Sequence, residues 1–122
     1  MPVTQAGASV ANPLPEPLVQ AAASLFALLS ATVRLHLLWL LADGDHDVSS
    51  LADATGQTVA TVSHHLGKLK LAGLVQSRRH GKRMIYVIDD PHVVEVLRSV
   101  IGKQWDVLDV DASQPRRRVR GG

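Results

Sequence analysis

The chain has 122 residues, 13 Lys and Arg against 11 Asp and Glu for a net charge of +2, and no cysteine. That length suits one domain with a modest core, and the lack of thiols excludes a disulfide framework and thiolate chemistry, in keeping with a cytoplasmic protein. Aromatic residues make up 3%, too few for the stacking platforms that hold single-stranded nucleic acid.

Residues 1–16 are small, polar and broken by Pro2, Pro13 and Pro15, which predicts a flexible N-terminal arm. They lack the basic start and apolar run of a secretory signal. From Leu18 to Ala42 the chain is mostly apolar, but Gln20, Ser30, Thr32, Arg34 and His36 interrupt it. An arginine at mid-bilayer costs about 2.5–3.5 kcal/mol on insertion scales, so no membrane partner is expected. Two helices fit instead. The first runs from Pro17 to Leu29, and the second from near Thr32, after a Ser30 or Thr32 cap, to Asp43-Gly44. Leu35, Leu38, Trp39 and Ala42 are expected to face the core, with Leu25, Phe26 and Leu29 at a subunit interface.

Val48 to Val75 reads as helix, sharp turn, helix. Leu51, Ala52 and Ala54 are the apolar side of a short helix stopped by Gly56, a residue suited to a left-handed cap. Gln57 and Thr58 start a second helix whose apolar positions, Val62, Leu66, Leu69 and Ala72, share one face before Gly73 ends it. The other face carries Thr58, Thr61, Ser63, His64, His65, Lys68 and Lys70, and no acidic residue occurs from Ala54 to Ile88. A helix laid against a polyanion should lack carboxylates, so this face points to double-stranded DNA. An ordinary solvated helix is the blander reading.

LVQSRRHGKRMIYVI then alternates as a hairpin with its turn near His80-Gly81. Arg78, Arg79, Lys82 and Arg83 at the tip form a phosphate-gripping wing, or else an edge blunted by charge against aggregation. A last helix spans Asp90 to about Asp106, with Pro91 at its first position behind an Asp cap. Val93, Val96, Leu97, Val100 and Ile101 form its main stripe, while Val94 and Trp105 suggest pairing with a symmetry mate. Residues 107–122, with Arg116, Arg117, Arg118 and Arg120, read as a basic disordered tail. The expected fold is mainly α with a β-hairpin wing: a winged helix-turn-helix domain over 17–106 that dimerises through its first and last helices.

LLSATVRLHLLWLL, SSLADATG, TVSHHLGKLKLAGLV and the wing HGKRMIYVIDDPHV together resemble the ArsR/SmtB family of bacterial winged-helix repressors. The resemblance covers about Ala23 to Trp105, and within the family it is most similar to the actinobacterial nickel/cobalt sensors. It implies a homodimer that binds an inverted-repeat operator and releases it when an effector binds. Ser63 and His65 occupy family positions in the DNA-reading helix, and residues 78–83 match the wing. It also implies a metal site between the last helices of two subunits, in which Asp90 and His92 match one pair of ligands. The other pair falls on Lys103 and Asp106. Asp106 can ligate a metal, but a protonated lysine cannot. The resemblance thus implies a ligand set of Asp90, His92 and Asp106, three-quarters of the family's site, with Asp89, Glu95 or Asp109 nearby in sequence, or else a Lys103–Asp90 ion pair across the dimer in its place. With no cysteine, such nitrogen and oxygen donors suit Ni, Co or Zn.

The expected mechanism places Gln57, Thr61, Ser63, His64 and His65 near base edges, with Thr58 at the helix start. Lys68, Lys70 and the wing cations take phosphates. Two half-sites would lie roughly 34 Å apart, one turn of DNA. His46 and Asp47 could form a second metal site or a solvated loop. His64 and His65 point about 100° apart on a helix and cannot chelate one ion together. Ser63 has no neighbouring acid, and no phosphate-binding glycine loop is present, so no enzyme is expected. Three readings remain: a metal-released repressor, a repressor answering another signal, and a winged-helix module that binds protein.

Overall fold

Helix α2 (Thr32–Asp43) is the post around which residues 12–108, those described by the computed structural model, are packed. Around it stand α1 (Glu16–Leu29), α3 (Val48–Thr55), α4 (Val59–Leu71) and α5 (Pro91–Leu108). Three strands complete the fold: β1 (His46–Asp47), β2 (Gln76–His80) and β3 (Arg83–Val87). Because α2 touches α1, α3, α4, α5 and β3, it is apolar nearly all round rather than along one stripe. Leu37, Leu38 and Leu41 enter the core with Leu51 and Ala52 of α3, Val62, Leu66 and Leu69 of α4, Val75, and Val93 and Leu97 of α5. Of the core positions expected on α2, only Leu38 is buried. Leu35 and Ala42 stop half-buried at the rim, as does Leu29, and all three pack against the core.

Helices α1 and α2 meet at a bend of 89°, and no single helix among the described residues is long and apolar enough to cross a membrane. The expected Ser30 or Thr32 cap on α2 is absent. Ala31 occupies the cap without a side-chain bond, while the Ser30 hydroxyl donates back to the Ala27 carbonyl at 2.8 Å and closes α1.

The helix-turn-helix follows the sequence pattern closely. Asp47 caps α3 by accepting from the Ser50 amide at 2.8 Å, and Gly56 ends it at φ 71°, in the left-handed region. Two residues expected on the apolar side lie outside it. Ala54 is exposed because α3 has only 8 residues, and Ala72 is exposed because α4 stops one position earlier.

The wing belongs to a three-stranded antiparallel sheet in the order β1-β3-β2. His80 pairs with Arg83, leaving Gly81-Lys82 as a two-residue loop with Gly81 at φ 66°. β1 was not legible in the sequence, since two residues cannot show alternation. It pairs His46 with Tyr86 and Asp47 with Ile85.

Helix α5 runs past Asp106 to Leu108. Of its expected main stripe Val93 and Leu97 are buried and Ile101 is half-buried, but Val96 and Val100 are exposed. Trp105, half-buried, meets Trp39 of the same chain with ring centroids 6.4 Å apart. Most of the N-terminal arm and nearly all of the basic tail lie outside the described residues.

Candidate nucleic-acid interface

The start of α4 is fixed by two threonines. Thr58 Oγ1 accepts from the Thr61 amide at 3.0 Å, and the two hydroxyls bond each other at 3.0 Å. No acidic residue lies in the first turn, so the positive end of the helix dipole is left uncompensated by protein charge. Val62, Leu66 and Leu69 hold one side against the core. Helical periodicity therefore turns residues 59, 60, 63, 64 and 67 to the other side, and all of them are exposed. Gln57, Ser63, His64 and Lys68 are available there.

Two expected DNA contacts are engaged elsewhere. His65 is half-buried with Nδ1 3.4 Å from Nη1 of Arg34. That guanidinium also donates through Nε to the Leu28 carbonyl at 2.8 Å and through Nη2 to the Ala27 carbonyl at 3.5 Å. His65 thus ties α4 to the α1–α2 bend. Burial first, then the charges of Arg34, His64 and Lys68, push its imidazole below the ordinary range. Lys70 donates to Ser77 Oγ at 2.6 Å and straps the last turn of α4 to β2.

The His65 environment gives a pH prediction. In the folded chain the neutral ring is favoured, while the unfolded chain titrates near its ordinary value of about 6.5. Below that value the unfolded state binds more protons, so stability falls as pH drops and is fully present above about 6.5. Denaturant midpoints measured from about pH 8 to pH 5 should show this loss, and His65→Gln should flatten it. An unchanged pH profile in the variant would place the titration elsewhere.

The four wing cations divide into two kinds. Arg78 Nη2 pairs with Asp45 Oδ2 at 2.7 Å, and Arg83 Nε with Asp47 Oδ2 at 3.2 Å. Arg79 and Lys82 are exposed with no ion pair among the described residues. The stretch from Ala54 to Ile88 holds no acid, yet the β1–β3 pairing carries two carboxylates to the wing from outside it. No signal in the sequence announced this, because it depends on the unforeseen strand.

The expected metal residues are not gathered in one subunit. Asp90 Oδ1 accepts from the His92 amide at 2.9 Å, and His92 Nδ1 stands 3.8 Å from Glu95 Oε1. Asp106 lies further along the same helix, about 21 Å beyond His92 at 1.5 Å per residue. Among the described residues no group of three or more His, Cys, Asp or Glu is placed to hold a metal ion. His46, in β1 rather than in a solvated loop, places Nδ1 3.1 Å from Ser50 Oγ beside the Asp47 cap.

Comparison with known proteins adds four findings. The family model described as bacterial regulatory protein, arsR family, matches residues 32–77. Over 86 residues the chain is 36% identical to the HTH-type transcriptional regulator KmtR of Mycobacterium tuberculosis, covering 70% of this chain and 66% of KmtR. It is 32% identical over 89 residues to the cadmium resistance transcriptional regulatory protein CadC homolog of Staphylococcus aureus, covering 72% and 74%. Among solved structures, the homodimeric winged helix-turn-helix DNA-binding domain Mb0332 from Mycobacterium bovis superposes with a TM-score of 0.68 at 32% identity. That match covers 81% of this chain and 92% of the other.

Proposed function

This chain belongs to the arsR family of bacterial regulatory proteins, and on that premise we propose that it is a repressor binding an inverted-repeat operator as a homodimer. One observation carries the reading. Gln57, Ser63, His64 and Lys68 on the open side of α4, with Arg79 and Lys82 on the wing, present donors and cations that no carboxylate occupies. Helix α4 lies in the major groove, where Ser63 and His64 reach base edges, while the wing grips phosphate beside it. Arg78 and Arg83 have a different task. Held by Asp45 and Asp47, they fix the wing against the start of α3.

The second copy is supported by surface left uncovered. Helix α1 buries no residue. Leu18, Val19, Leu25 and Phe26 on it, with Val96 and Val100 on α5, are exposed apolar side chains that a two-fold mate would cover. Binding should be followed on the chain's own upstream promoter DNA at rising salt. A dimer whose log affinity falls linearly with log salt is expected; a monomer, or indifference to DNA at low salt, overturns the reading and favours a protein-binding module.

A transition metal as the releasing signal is the finer part of the proposal. Asp90 keeps Oδ2 unengaged and His92 is exposed. An antiparallel second α5 would bring Asp106 from the opposite end, so the donors suit a Ni, Co or Zn ion shared between subunits. Lys103 lies on the same helix and cannot ligate while protonated. This favours the second reading, in which the lysine pairs with Asp90 across the dimer and the signal is not a metal. Titrating the dimer with Ni(II), Co(II) and Zn(II) while following operator affinity separates the two. Metal release that disappears in His92→Ala supports the metal site; an unchanged response in that variant removes it.

A further inference from the structure

We infer that Val59 is a base-reading residue of this interface, its γ-methyl groups covering the 5-methyl of a thymine in the major groove. The inference rests on the DNA-binding reading above and makes it specific. Val59 opens α4 and is 51% exposed, on the open side of the helix with Ala60, Ser63 and His64. Behind it the Thr58 hydroxyl donates to Thr61 Oγ1 and accepts from the Thr61 amide, so it is engaged in holding the turn, and Thr61 itself is half-buried. At the leading end of the helix that leaves Gln57 and Ser63 as polar groups and an apolar spot made by Val59 and Ala60.

An apolar spot gains nothing from phosphate, sugar or a base amide. The one apolar group that B-DNA exposes in its major groove is the thymine methyl, and residues at the leading end of a recognition helix are those nearest base edges. Gly67 on the same side has nothing within 4 Å of where a Cβ would stand, so the helix can settle deeply enough for contact. Leu71 is 92% exposed but sits at the far end, about 18 Å along the axis from Val59 at 1.5 Å per residue, where the helix leaves the groove.

The test is a footprinted stretch of the chain's own upstream DNA, resynthesised with deoxyuridine replacing each thymidine in turn. Uracil keeps every hydrogen-bonding group and lacks only the methyl. One symmetric pair of positions should weaken binding by native protein about three- to fivefold, the worth of a buried methyl group. Val59→Ala, which removes the contact from both half-sites, should bind the thymine duplex about nine- to twenty-five-fold more weakly and no longer distinguish uracil there, while Val59→Ile keeps the difference. Equal melting temperatures of the variants exclude a folding effect. A full thymine preference in Val59→Ala, or no thymine methyl mattering to the native dimer, overturns the inference while leaving DNA binding intact. Failure of the native protein to bind any duplex removes the underlying function as well.

Discussion

Replacing Arg79 and Lys82 together with alanine, which removes four cations from a dimer, should weaken duplex binding at least tenfold and flatten the slope of log affinity against log salt by about 3.6. That slope change corresponds to about 0.9 for each phosphate that the protein no longer neutralises. The effect of Arg78→Ala with Arg83→Ala should be smaller in slope and different in kind. Those two guanidiniums already face Asp45 and Asp47, so their charge is largely answered within the protein and only the excess reaches DNA. Their exposed pairing is worth little for folding, about 0.2–1 kcal/mol for a surface pair. Asp47 is the exception, with its side chain 18% exposed and its other oxygen capping α3. Asp45→Asn should therefore raise DNA affinity slightly by freeing Arg78, whereas Asp47→Ala should also destabilise the helix behind it. Fluorescence anisotropy on one labelled duplex across a salt series reads all of these. Equal slopes for the two double variants would mean that the free and paired cations are not distinguished by DNA, and the division of the wing would fail.

Much of this fold was legible because its local signals agree with one another. Gly56 sits where a left-handed residue must, Thr58 begins α4, and Val62, Leu66 and Leu69 recur at helical spacing. What escaped depends on neighbours distant in sequence. The spacing of α2 offers several apolar faces, and only the surrounding helices decide that Leu37 and Leu41 lie inside and Trp39 at the rim. Val93 and Leu97 of α5 were read correctly, but Val96 and Val100 were not, for the same reason: periodicity finds a face but not how much of it the neighbours cover, and Trp39 takes Trp105. At the interface, residue chemistry alone marked His65 and Lys70 as DNA contacts. Their partners, Arg34 and Ser77, lie 31 and 7 residues away and turn them to structural duty. The metal residues were expected to meet only across two subunits; within one chain Asp90 and His92 stand at the start of α5 and Asp106 near its end.

Leu66→Ala should be the most damaging single change on the rear of α4. Leu66 is fully buried, between α2 and the outer side of the recognition helix, and truncating such a leucine costs about 2–5 kcal/mol through lost transfer energy and the cavity left behind. A domain of this size has only about 5–15 kcal/mol in total, so the urea midpoint should fall by a third or more at an unchanged m value. Leu71→Ala, at a position 92% exposed, removes the same atoms from the same helix and should change stability by no more than about 0.5 kcal/mol. The contrast separates packing from propensity, because alanine is the better helix former at both places. It also bears on function. At low temperature, where the Leu66→Ala protein remains folded, its operator affinity should stay near native, since the side chains that meet DNA are untouched. Affinity that declines in step with the folded fraction is the expected pattern. Affinity that declines while the helices persist by circular dichroism would show that the core positions α4 with a tolerance finer than one methyl group, and that reading the operator depends on packing as much as on the exposed residues.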